Sequence, residues 1–180
     1  MDARCQCGAV AFKTPLEKPL RLYICHCEEC KRQTGSAFGT SAIFPRFKLP
    51  RVELLGVYTR PTASGATLYC YFCRNCGTRL IHTTPGAQDK NVVSVKGGCI
   101  DGLDWKTAIH IWTKNAMVPI PEGAESHPEE AEYTDYGDLQ EALDQPTHLR
   151  GSGGDPPTVT PQQGFDGRCE LSGQTNAVVR

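Results

Sequence analysis

Apolar and β-branched residues come along this chain in short runs rather than at helical intervals. The runs are Ala9 to Lys13, Leu20 to Ile24, Phe38 to Phe44, Val52 to Tyr58, Ala66 to Phe72, Arg79 to Thr83, Asn91 to Lys96 and Ala108 to Thr113, separated by Pro, Gly, Asn, Asp and Ser. Runs of this length between turn formers predict strands, and no stretch from residue 9 to 113 keeps helical periodicity over three turns. The expectation is a small all-β domain. Its core would be modest, so bound metal would supply much of its stability.

The pattern changes beyond Pro119. Pro, Glu, Gly and Ser dominate Glu122 to Glu132, and Gly151 to Gly164 is rich in Pro and Gly. Such a composition cannot build a core. We therefore divide the chain into a domain over residues 1–123 and an irregular tail over 124–180. Within the tail, Leu139, Ala142 and Leu143 share one helical face after Asp138, which predicts a short helix over Gly137 to Gln145. Gly167 to Gly173 loosely echoes Ala3 to Gly8 but has only Cys169 where the earlier segment has Cys5 and Cys7.

Charge adds little. Over 180 residues the formal net charge is -1 and the pI about 6.5, which offers no electrostatic attraction for nucleic acid or an acidic membrane. No run reaches the roughly 18 apolar residues of a membrane span, and the start of the chain lacks the apolar stretch of a secretory signal. We expect a soluble, cytoplasmic protein without nucleic-acid or membrane partners.

The ten cysteines are the informative feature. In a reducing compartment clustered thiols bind metal more often than they form disulfides. Cys5-Gln-Cys7, Cys25-His-Cys27, Cys27-Glu-Glu-Cys30 and Cys73-Arg-Asn-Cys76 each bring two sulfurs close together. Four thiolates close a tetrahedral zinc site and three leave a place open, so seven clustered cysteines divide into four and three. Spacing does not say which four. Cys5, Cys7, Cys73 and Cys76 can combine and leave Cys25, Cys27 and Cys30, or Cys27, Cys30, Cys73 and Cys76 can form a ribbon-like site.

Three ordered motifs bear on that choice. Cys5-Gln-Cys7-Gly8-Ala9-Val10-Ala11-Phe12 is followed by Tyr23-Ile24-Cys25-His26-Cys27-Glu28-Glu29-Cys30-Lys31-Arg32-Gln33-Thr34-Gly35-Ser36-Ala37-Phe38, and then by Phe72-Cys73-Arg74-Asn75-Cys76-Gly77-Thr78. Together they resemble the glutathione-dependent formaldehyde-activating enzyme family, which includes centromere protein V-like members. The resemblance runs from about Arg4 to Gly123 and takes in Ile100-Asp101 and Ala108 to Lys114. It implies a β-tent fold, in which small antiparallel sheets are joined around zinc. It also implies a pairing: Cys5, Cys7, Cys73 and Cys76 match the family's structural zinc ligands, and Cys25, Cys27 and Cys30 its catalytic zinc ligands. The implied activity is carbon-sulfur lyase chemistry on a thiol adduct, with glutathione or another thiol as partner and two zinc ions as cofactors. One departure stands out. Asn115-Ala116-Met117-Val118 occupies a stretch where the family commonly has a Trp, which implies a different pocket wall.

An open three-thiolate site favours a soft ligand, so a substrate thiol is the expected fourth partner. His26, His82 and His110 are the candidate proton carriers. His26 lies between two ligands, points to the other side of the strand, and is better suited to a structural hydrogen bond. Glu28 and Glu29 are read as exposed loop carboxylates, Lys31 and Arg32 as solvated charges, and Gly35-Ser36 as a turn or a source of N–H groups. Tyr58, Tyr69 and Tyr71 are read as sheet packing, Cys70 and Cys99 as buried small side chains, and Asp101 as a turn cap. Three rival functions stand beside it. His26-Cys27-Glu28 has the His-x-Glu form of nucleobase deaminases, but Phe72 stands where those enzymes have Pro before Cys-x-x-Cys. Alternatively both metals serve the fold, and the surface binds another protein, or a zinc enzyme of the same fold acts on a different small molecule without glutathione.

Overall fold

The computed structural model describes residues 1–49, 51–84 and 91–131. The helix expected at Gly137 to Gln145 and the echo at Gly167 to Gly173 lie outside them. Nine strands are present: β1 Asp2–Arg4, β2 Ala11–Lys13, β3 Arg21–Cys25, β4 Gly39–Pro45, β5 Leu55–Pro61, β6 Thr67–Cys73, β7 Arg79–Thr83, β8 Val92–Val95 and β9 Ile109–Ile111. The expected all-β class holds. Two elements escape hydrophobic patterning: β1 is polar at both ends, and the helix α1, Glu28–Thr34, buries none of its residues. Val52–Leu54, expected as the start of a strand, forms a 3₁₀ turn that leads into β5.

β1 and β2 form a two-stranded antiparallel sheet. The other strands form one sheet in the order β5-β6-β7-β8-β4-β3-β9, antiparallel except for the parallel pair β3 and β9. Residues 125–129 continue past position 123 along the outer side of β9: His110 N–H donates to the Glu125 carbonyl, and Trp112 N–H to that of Glu129. Alternation sorts the large sheet into two faces. Leu22, Ala42, Phe44, Val93, Val95, Ile81, Tyr71 and Leu55 turn one way into the main core. Tyr23, Ile43 and Ile109 turn the other way into a smaller cluster.

A bulge breaks this alternation at one place. Tyr71 pairs with Ile81, but the next residue, Phe72, pairs with Arg79, so Leu80 is the extra residue on β7. Leu80 and Ile81 therefore both enter the main core, fully buried, and Arg79 is turned to the opposite face with Phe72.

Candidate metal centres

The first thiol group sits where the two sheets meet. β1 ends at Arg4, and Cys5 to Gly8 make a turn in which Gly8 N–H donates to the Cys5 carbonyl. Cys5 and Cys7 thus come from a hairpin turn, rather than from alternate positions of an extended strand. Cys73 ends β6, and Gly77, at φ +73°, folds the chain back so that its N–H reaches the Cys73 carbonyl. The sulfurs of Cys5, Cys7, Cys73 and Cys76 all lie within 4.8 Å of one another. The Cys5–Cys7 and Cys7–Cys73 sulfur separations are 3.5 and 3.9 Å. A tetrahedron with zinc-sulfur bonds of about 2.3 Å requires separations of about 3.8 Å.

Polar hydrogens point at these sulfurs. Val10 N–H donates to Cys5 Sγ at 3.3 Å and Asn75 Nδ2 to Cys7 Sγ at 3.2 Å, and Thr78 Oγ1 lies 3.2 Å from Cys76 Sγ. Thr78 and backbone N–H groups lower the Cys76 thiol to about 5. Donors of this kind stabilise thiolate, the form that binds metal. The donor set therefore fits zinc. Cys5 and Cys73 are also part of the main core, so this site is continuous with the packing that unites the sheets.

The second group is assembled around α1. Cys25 ends β3, Cys27 is the N-cap of α1 in extended conformation, and Cys30 lies in the helix's first turn. Cys30 N–H donates to Cys27 Sγ at 3.4 Å, so a thiol does the capping work that Ser or Asp usually does. The sulfurs of Cys25, Cys27 and Cys30 lie within 4.8 Å of one another, and no other His, Cys, Asp or Glu joins them among the described residues. Hydrogen bonds from Cys25 and Cys30 hold the Cys27 thiol far below its usual range, and the same contacts push Cys25 up. Gly39 makes room: a Cβ there would lie 3.0 Å from Cys30 Cβ. Here too the donors suit zinc, with three ligands rather than four.

The structure thus brings together Cys5, Cys7, Cys73 and Cys76, and separately Cys25, Cys27 and Cys30; the ribbon grouping is not formed. His26 is fully buried, and its Nε2 shares a hydrogen bond of 3.1 Å with His110 Nδ1. Burial lowers both imidazoles. Lys31, expected to be solvated, is instead tied to Glu28 at 2.6 Å and to the Asn115 carbonyl at 2.9 Å. That contact fastens α1 to the divergent stretch 115–118, where Met117 is 70% exposed and offers no wall. Tyr69 and Tyr71 pack against the main core, whereas Tyr58 is exposed. Cys70 is fully buried and Cys99 donates to the Arg79 carbonyl. Gly35, at φ +59°, closes α1 by a left-handed cap, which supports the turn reading. Sequence patterning missed Asn75, Thr78 and Gly39, although the first two lie inside the Cys-x-x-Cys-Gly-Thr motif. It also missed Lys96 and Arg79, which carry no spacing signal.

No helix among the described residues is long and apolar enough to cross a membrane. Among curated proteins none matches the chain. The family model described as glutathione-dependent formaldehyde-activating enzyme matches residues 1–115, which hold all nine described strands, and with its cysteine motifs in place the chain belongs to that family.

Proposed function

We propose that this protein is a zinc-dependent carbon-sulfur lyase that acts on the adduct of glutathione, or another thiol, with a small carbonyl compound. Cys5, Cys7, Cys73 and Cys76 hold a structural zinc, and Cys25, Cys27 and Cys30 a catalytic one. The observation that carries this reading is the division of seven thiols into a set of four and a set of three without a fourth side-chain ligand among the described residues. When bound at the trio, zinc supplies a soft Lewis acid with a coordination place left for a sulfur ligand.

The chain's own groups do the rest. The Cys30 N–H keeps Cys27 in its ligating form, and β3 and α1 set the trio on rigid elements. Lys96, 5% exposed, sits within electrostatic reach of Cys30 and Cys25: burial lowers its ammonium, and the two thiols act against that by favouring its charge. The His26–His110 pair lies on the other face, where it orients the strand ends; its groups are bonded to each other. A cytoplasmic setting suits these thiols, since it keeps them reduced.

The test compares Cys27→Ser with Cys73→Ser. The first is expected to lower formation of the hydroxymethyl thiol adduct from formaldehyde and glutathione by more than about 100-fold with the fold intact by circular dichroism, and the second to unfold the protein. Equal unfolding in both would instead identify two structural sites in a protein that binds a partner.

A further inference from the structure

The face of the large sheet that carries Cys25 also carries cationic side chains with buried polar atoms that make no hydrogen bond among the described residues. Register places Cys70, His82, Ser94 and Ile43 in one cross-strand row, and Lys96 follows Ser94 by two residues, so it turns the same way. Arg79 joins them because of the β7 bulge. Among the described residues, Lys96 Nζ, Arg79 Nη1, His82 Nδ1 and Ser94 Oγ are buried and have no hydrogen-bond partner. Buried polar groups are nearly always bonded, and a buried lysine is rare unless paired.

Their surroundings make the deficit larger. Lys96, Arg79 and Arg60 all act electrostatically on His82, and burial holds that imidazole neutral. Glu29 reaches Arg60 from α1 at 3.8 Å, which roofs this face with the helix that bears Cys30. Register sets Lys96 and Cys25 on one face with β4 between their strands, and Cys30 and Cys25 favour the charge of the Lys96 ammonium, which burial lowers.

We propose that this face is a carboxylate subsite: the small molecule that presents its sulfur to Cys25, Cys27 and Cys30 carries a carboxylate held by Lys96 and Arg79, with Ser94 donating to the same group. The inference rests on the thiol reading above and narrows it to acidic thiols. Lysine and arginine are donor-only, and a guanidinium matches the planar carboxylate. The electrostatics make the preference diagnostic. Three thiolates on a divalent ion leave net negative charge, so without the subsite an acidic thiol would bind more weakly than a neutral one.

The experiment is calorimetric titration of the zinc-loaded full chain with mercaptoacetate, 2-mercaptoethanol and malonate. Mercaptoacetate is expected to bind at least about tenfold more tightly than 2-mercaptoethanol, with the difference lost in Lys96→Gln and Arg79→Gln. Equal binding of the two thiols in the wild-type protein would overturn the subsite and leave the sulfur reading standing. Binding of neither thiol, with malonate binding that Lys96→Gln abolishes, would keep the subsite and remove the sulfur reading. If malonate and mercaptoacetate both bind the Gln variants as they bind wild type, the subsite is wrong. The wild-type comparison needs no variant to fold.

Discussion

His82 shows how much one side chain's meaning depends on what surrounds it. Its burial, with Lys96, Arg79 and Arg60 nearby, holds the imidazole well below its ordinary range. The folded protein therefore keeps it neutral, while the unfolded chain takes up a proton below about pH 6.5. Protons bind the unfolded state preferentially, so this residue's contribution is full above that pH and is lost as pH falls. The cost is up to about 1.4 kcal/mol per pH unit. His82→Gln is expected to flatten the fall in stability between pH 7 and 5.5, measured by urea unfolding of the two zinc-loaded proteins. Parallel curves would show that His82 titrates alike in both states. Gly39 and Gly77 act through space and backbone instead: the first admits Cys30, and the second turns Cys76 toward Cys73.

Two elements owe their form to the site. The bulge in β7 looks like a defect in alternation, yet it sends Leu80 inward and Arg79 outward at once. The helix α1 has seven residues and no buried face, too short to hold itself in water. Its ties include the Cys27 cap, the Lys31–Asn115 contact, the Glu29–Arg60 ion pair and the thiol trio. Removing metal from the trio should therefore release α1 before the sheet. In hydrogen exchange, Cys27→Ser is expected to bring the amides of α1 close to unprotected rates while those of β6 and β7 stay protected. Retained protection in α1 would show that the helix is held by contacts other than the trio.

In the molecule as a whole, the four-thiol site and the main core form one unit, since Cys5 and Cys73 belong to both. The other end is less secure. β9 is the last strand of the sheet, and residues 125–129 cover it through the His110, Trp112, Thr113 and Lys114 N–H groups and the His127 N–H. These five backbone bonds contribute together about 3 kcal/mol. A chain stopped after residue 123 should be less stable by that order than one stopped after residue 131, a difference of roughly 10 °C in thermal unfolding. Equal melting would mean that the segment lies on β9 without stabilising it.

Strands β2 to β9 were legible because each lies in a short apolar, β-branched or aromatic run between turn formers, and the two thiol groups were legible as clusters because their cysteines come in close pairs along the chain. β1 and α1 were not, since neither buries the apolar pattern that patterning detects. The grouping of the thiols depends on which hairpins meet, a long-range matter on which local spacing is silent. The cationic face is the clearest instance. Arg60 lies on β5, Arg79 and His82 on β7 and Lys96 just after β8, without common spacing, and Arg79 faces the others only through a bulge. Local periodicity and short-range spacing are written in the order of residues, whereas charge that converges across strands exists only once the sheet has set its register.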